Sequence, residues 1–162
     1  MILVADSSAL VALAACDSLI LLDEIFGQVM VPEAVYREVA QPDKFQSNRL
    51  KEYLHGKVRQ VDMQGFVSLD ACADVGETEA MLLYKAIAAD YLLIDDKRGR
   101  KIASLNRIKT IGSLGVLLQA KRMGLVNHIG PLIENIIDSP VFISESLVTT
   151  VLELAGELVQ QP

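Results

Sequence analysis

The chain has 162 residues, 51% of them apolar and 22% charged, with a formal net charge of −6. That size suits one domain around a single core, and the composition excludes a disordered chain and a scaffold that depends on disulfide or metal staples. Cys16, Cys72, His55 and His128 show none of the spacing of a zinc site, so the cysteines read as small buried residues in a reducing compartment.

Met1 to Ala5 is a short apolar run that reads as a strand, and from Ser7 the spacing of Leu and Ala suits a helix, with Asp6 at the junction. A second helix is expected over Ser18 to Phe26, capped by Asp17 or Ser18 and ended by Gly27. "QVMVP" is a strand that stops at Pro32, which then suits the first turn of the helix "PEAVYREVA". Residues 41 to 56 are the most polar part of the chain, helical at best near Arg49 to Leu54, and "KVRQVDM" adds a strand or crosses the surface. After an acid-rich loop, Gly76 opens the strongest helix, "GETEAMLLYKAIAA". "YLLI" follows as a strand, then a helix from about Lys97 to Leu105, a short strand "KTIG" and a helix "SLGVLLQAKRMG" with a glycine stop. Two apolar helical segments close the chain, about Pro131 to Ile137 and Glu145 to Leu158. Strands alternating with helices predict an α/β fold, a parallel sheet with helices on both faces.

"LAAC", Leu13 to Cys16, looks like the cleavage box of a lipoprotein signal, but no Lys or Arg precedes Arg37 and Asp6 interrupts the apolar run. No window approaches the roughly 18 apolar residues of a membrane span. A soluble, cytoplasmic protein with no membrane partner is expected.

In a parallel sheet the ligand crevice lies beyond the carboxyl ends of the strands. Asp6 closes "ILVA", and Asp95 with Asp96 closes "YLLI". Two buried strands that end in carboxylate at one edge concentrate negative charge, which a divalent cation or a proton must offset. Glu38 lies nearly two turns into its helix on the face of Val35, and Glu77 lies in a first helical turn, where backbone N–H groups favour an anion. Each acid alone has an ordinary role, as a helix cap for Asp6, on a solvated face for Glu38 and as first-turn stabilisation for Glu77. Together they form an oxygen-only set, the donor chemistry of Mg2+ or Mn2+. Such ions suit phosphodiester cleavage, because they polarise a phosphoryl oxygen, generate hydroxide from water and stabilise the leaving oxygen. Side-chain alternation along a strand sends Asp95 and Asp96 to opposite faces, so only one of them is expected in the pocket.

The motifs "LVADSSAL", "VPEAVYREV", "GETEA" and "LLIDDKRGRKIA", in that order, resemble the PIN domain family of metal-dependent nucleases, and within it a prokaryotic subgroup of predicted nucleic-acid-binding proteins. The similarity runs over nearly the whole chain. It implies a three-layer α/β/α sandwich with a central parallel sheet, one domain over residues 1–162, with about 131–162 as a helical extension. It also implies an acidic pocket that holds one or two Mg2+ or Mn2+ ions and hydrolyses RNA. Carried over by motif, Asp6, Glu38, Glu77 and Asp95 are the four acids, Asp96 competes with Asp95 as a metal ligand, and Ser8 supplies a hydroxyl that orients Asp6 or a water. The chain departs from the commonest pattern in having Glu rather than Asp at the third position. Kinship further implies a homodimer and a toxin paired with a protein antitoxin.

Six of the fifteen Lys and Arg residues fall between positions 97 and 109. Phosphate contacts are local, so this cluster outweighs the acidic total, and Arg98 and Arg100 are expected to hold RNA backbone. No aromatic is interleaved there, so base stacking has no support from the sequence. The competing reading is a non-catalytic PIN-like module that binds RNA or protein. A receiver-type phosphorylation domain shares the architecture but wants paired acids after its first strand and a lone Asp later, the reverse of this chain.

Overall fold

β1 (Ile2–Ala5) is the middle strand, and its side chains divide the molecule into layers. Leu3 and Ala5 enter one core and Val4 the other, all fully buried. In this computed structural model, which describes residues 1–62 and 74–158, five parallel strands run in the order β3-β2-β1-β4-β5. The others are β2 (Gln28–Pro32), β3 (Val58–Arg59), β4 (Tyr91–Leu93) and β5 (Thr110–Ile111). β1 sets Leu3 opposite both Val29 and Tyr91, and Val4 opposite Met30 and Leu92. The ladder runs on past the strand, because the Asp6 N–H donates to the Leu93 carbonyl at 2.9 Å. Asp6 is thereby fixed at the carboxyl edge beside the segment that carries Asp95.

The larger core packs α1 (Ser7–Ala15), α2 (Ile20–Phe26), α3 (Glu33–Val39) and α4 (Ser47–Tyr53) on one face of the sheet, with α7 (Ser113–Arg122), α8 (Gly130–Ile137) and α9 (Glu145–Leu154). The smaller core lies under α5 (Val75–Ala86) and α6 (Lys97–Leu105). The three-layer α/β/α sandwich is therefore present, and the C-terminal helices cover the larger core with Ile133, Ile136 and Val151. Among the described residues, no helix is long and apolar enough to cross a membrane.

Several boundaries differ from the sequence reading. α2 begins after Leu19 with no side-chain cap, so neither Asp17 nor Ser18 caps it. α5 starts at Val75, one residue before Gly76, because Asp74 caps it, its carboxylate accepting from the Glu77 N–H at 2.7 Å. α9 stops at Leu154 rather than Leu158, as the chain turns at Gly156 with a positive φ of 69°. Cys16 is buried and free, whereas Cys72 lies outside the described residues.

The last turn before Glu157 serves to tie three helices together. The Glu157 carboxylate accepts from Lys121 Nζ of α7 at 2.5 Å and from the Ile129 and Gly130 N–H groups that open α8, at 2.8 and 2.7 Å. Burial would push this acid up, but the lysine and the two backbone donors outweigh it and hold it at about 2, below its ordinary 4.5.

Candidate active site

Asp6, at the end of the central strand, occupies the N-cap position of α1, yet its side chain makes no capping bond and lines a cleft of about 1280 Å³. That cleft opens over the carboxyl edge of the sheet and gathers acids from three other places: Glu38 on α3, Asp74 and Glu77 at the start of α5, and Asp95 with Asp96 after β4. All five sequence-predicted acids are thus brought to one cavity, as is Ser8.

The hydroxyl of Ser8 joins the two strand ends. It donates to Asp6 Oδ2 at 3.2 Å and accepts from the Asp95 N–H at 3.3 Å. Asp95 is fixed on its other side by Ser113, whose N–H and Oγ donate to the two carboxylate oxygens, each at 2.7 Å. Asp96 instead caps α6 by accepting from the Gly99 N–H at 2.7 Å. The expectation that only one of this pair enters the pocket fails. β4 ends at Leu93, so strand alternation no longer governs Asp95 and Asp96, and both line the cleft.

Two glycines make close approach possible. A Cβ on Gly99 would lie 2.8 Å from Glu77 Oε1 and 2.6 Å from Ile94 Cδ1. A Cβ on Gly112 would lie 2.9 Å from both Asp95 Oδ1 and an Arg100 guanidinium nitrogen, so this arginine lies beside the fourth acid. Glu79, on the same helix as Glu77, accepts from the Ala34 N–H at 3.0 Å and so ties the first turn of α3, the helix of Glu38, to α5.

Electrostatics follow from this crowding. Asp6 is 3% exposed, and burial pushes it up to about 6; the Ser7 N–H and Ser8 hydroxyl pull it down, and repulsion from Asp74 and Glu38 adds to the rise. Burial, then Asp74, Asp6 and Asp96, push Glu77 up to about 7. Among the described residues, none of the cleft acids takes part in an ion pair. The donor set therefore fits a hard divalent cation in element and in charge. It is not gathered tightly: among the described residues, no three of His, Cys, Asp and Glu are placed to hold one ion together.

The basic cluster divides. Lys97 and Arg100 line the cleft and Arg98 does not, because residues two apart on a helix are turned about 200° from each other. The sequence reading missed Asp74, which looks like an ordinary cap three residues before Glu77, and Ser113, which gave no signal beyond opening a helix.

Compared with known families, the sequence model described as a PIN domain matches residues 2–157. The chain belongs to the PIN domain family. PIN domains are typically metal-dependent nucleases that use Mg2+ or Mn2+, and the parallel sheet with acids at its carboxyl edge is consistent with that fold. No curated protein and no solved structure matches the chain.

Proposed function

We propose that this PIN domain is a metal-dependent endoribonuclease that hydrolyses RNA phosphodiester bonds. The observation that carries the reading is the convergence of Asp6, Glu38, Asp74, Glu77 and Asp95 in one cleft where, among the described residues, none of them is in an ion pair. Asp6 and Glu77 are buried among these like charges, which costs stability, so their retention is most economically explained by a ligand that neutralises them.

Asp6, Glu38, Glu77 and Asp95 would hold Mg2+ or Mn2+, with Asp96 and Asp74 near enough in the same cleft to assist. Bound there, the ion would polarise a phosphoryl oxygen and stabilise the leaving oxygen. The chain's own contribution is orientation: Ser8 and Ser113 aim Asp6 and Asp95, and Asp74 and Asp96 fix the helix starts that carry Glu77 and Arg100. Arg100, which lines the same cleft beside Asp95, would contact a phosphate. Kinship supports a further reading as a toxin that acts as a homodimer and is restrained by a protein antitoxin.

The open spacing of the acids favours a second reading, a PIN-like module that binds without cleaving. Incubation of purified protein with single-stranded RNA separates the two. Cleavage is expected with Mn2+ or Mg2+ and lost in excess EDTA. Asp6→Asn should lower it at least about 100-fold, the scale of several kcal/mol of transition-state stabilisation, while the circular dichroism stays native. Undiminished activity in EDTA or in the variant rejects the proposal, and RNA binding without cleavage selects the module.

A further inference from the structure

The acid cleft has a second lining that the chemistry above does not use. It is apolar and comes from remote stretches of chain: Phe45 between α3 and α4, Val141, Phe142 and Ile143 between α8 and α9, and Leu147 on α9. Phe142 is 89% exposed, the highest value for any large apolar side chain among the described residues. Single exposed apolar residues are common on surfaces, but a bare phenylalanine inside a functional cleft is an informative exception.

Its backbone is braced. Val141 and Ile143, on either side of Phe142, pack against the larger core. The Ser139 hydroxyl donates to the Ile136 carbonyl at 2.6 Å and accepts from the Val141 N–H at 3.1 Å, and Ser144 caps α9. The ring is therefore held outward on a fixed mount. Phe45 contributes a second, part-exposed ring, and Lys44, Lys97 and Arg100 line the same cavity. None of these three cations is in an ion pair among the described residues.

Resting on the nuclease reading, we propose that Phe142, with Phe45, is a stacking platform for unpaired bases of the RNA. Aromatic faces paired with free cations match a polymer of alternating flat bases and phosphates. A partner that buried the apolar area alone would leave the three cations unmatched. An A-form duplex keeps its base faces covered and has none to offer. Stacking also explains how a chain with net charge −6 binds RNA at all, since the bases add attraction that does not depend on charge.

The chain contains no tryptophan, so Phe142→Trp creates a unique fluorescent reporter. The test uses Asp6→Asn protein in EDTA, to prevent cleavage, with an eight-nucleotide RNA, an abasic ribose-phosphate strand of equal length and a blunt RNA duplex. Quenching of the Phe142→Trp emission is expected with the first and not with the other two. Phe142→Ala should weaken single-strand binding about 5- to 100-fold, and Phe142→Trp should retain it. Binding of Phe142→Ala within about twofold of the parent, or equal binding of the abasic strand, overturns the platform. So does conversion of a dimer to a monomer by Phe142→Ala in sedimentation, which would assign the patch to a second copy of the chain. The two readings separate cleanly: Phe142→Ala cleaving RNA with unchanged KM removes the platform and leaves the nuclease, whereas base-dependent quenching in a chain that never cleaves does the reverse.

Discussion

Glu157 and Asp6 are both carboxylates largely hidden from water, and their surroundings treat them in opposite ways. Glu157 meets an ammonium and two backbone donors and is held at about 2. Asp6 meets one backbone N–H, one hydroxyl and two other acids, Asp74 and Glu38, and burial pushes it up to about 6. A folded chain that supplies a full set of partners for one acid and withholds it from another has placed the second for something other than stability. Structural acids raise the stability of the fold, and functional acids lower it until a ligand arrives.

The contrast is sharpest in the expected effect of removing each group. Glu157→Ala strands Lys121 and the N-terminus of α8, and the loss of three charge-assisted bonds should cost about 3 kcal/mol in urea unfolding at pH 7. The pH dependence has a definite sign. A depressed acid contributes above its unfolded value near 4.5, and that contribution is lost as pH falls through about 2, so parent and variant should converge in acid. Convergence at neutral pH instead would break the comparison.

Gly99→Ala comes next. Its Cβ would crowd Ile94 and the Glu77 carboxylate, and overpacking of this kind costs about 2 kcal/mol while displacing an acid from the cleft. RNA cleavage should fall with it, and unchanged cleavage would remove Glu77 from the site.

Asp6→Asn should be the reverse of Glu157→Ala, a gain of about 1 kcal/mol at pH 8 in EDTA, since it removes a repelled charge. A raised acid contributes fully below its unfolded value near 3.8 and loses that contribution as pH rises through about 6. The gain should therefore vanish below pH 4, and a loss of stability at pH 8 would show that Asp6 is structural after all. Arg100→Ala is the smallest. Unlike Lys121 it is in no ion pair among the described residues, so stability should move by less than about 0.5 kcal/mol, while the salt slope of RNA binding drops by about 1. Arg98→Ala, outside the cleft lining, should leave that slope unchanged.

The sheet and the position of the acids were legible because both depend on short-range patterns. Apolar runs mark buried parallel strands, and a carboxylate at the end of such a run falls at the carboxyl edge whatever lies between the strands. Asp6 and Asp95 are 89 positions apart, yet that rule places both over one cleft. What was not legible depends on packing between distant segments. Nothing near Ser113 says that its hydroxyl will meet Asp95, and nothing near Phe142 says that a loop between two late helices will border the acids. Arg98 is an intermediate case, since helical periodicity alone separates it from Arg100. The pairing of Asp95 with Asp96 was misread because the strand was taken one turn of pleat too far, to include Ile94.

The central place of β1 also has a bearing on biosynthesis. As the domain is made, β1 must wait for β4, some ninety residues later, before its second edge is covered, and for α7 before Ser113 reaches Asp95. A polypeptide cut short before α7 thus has the carboxylate of Asp6 but an incomplete cavity around it, and any catalytic power the folded domain has is withheld until α7 has been made.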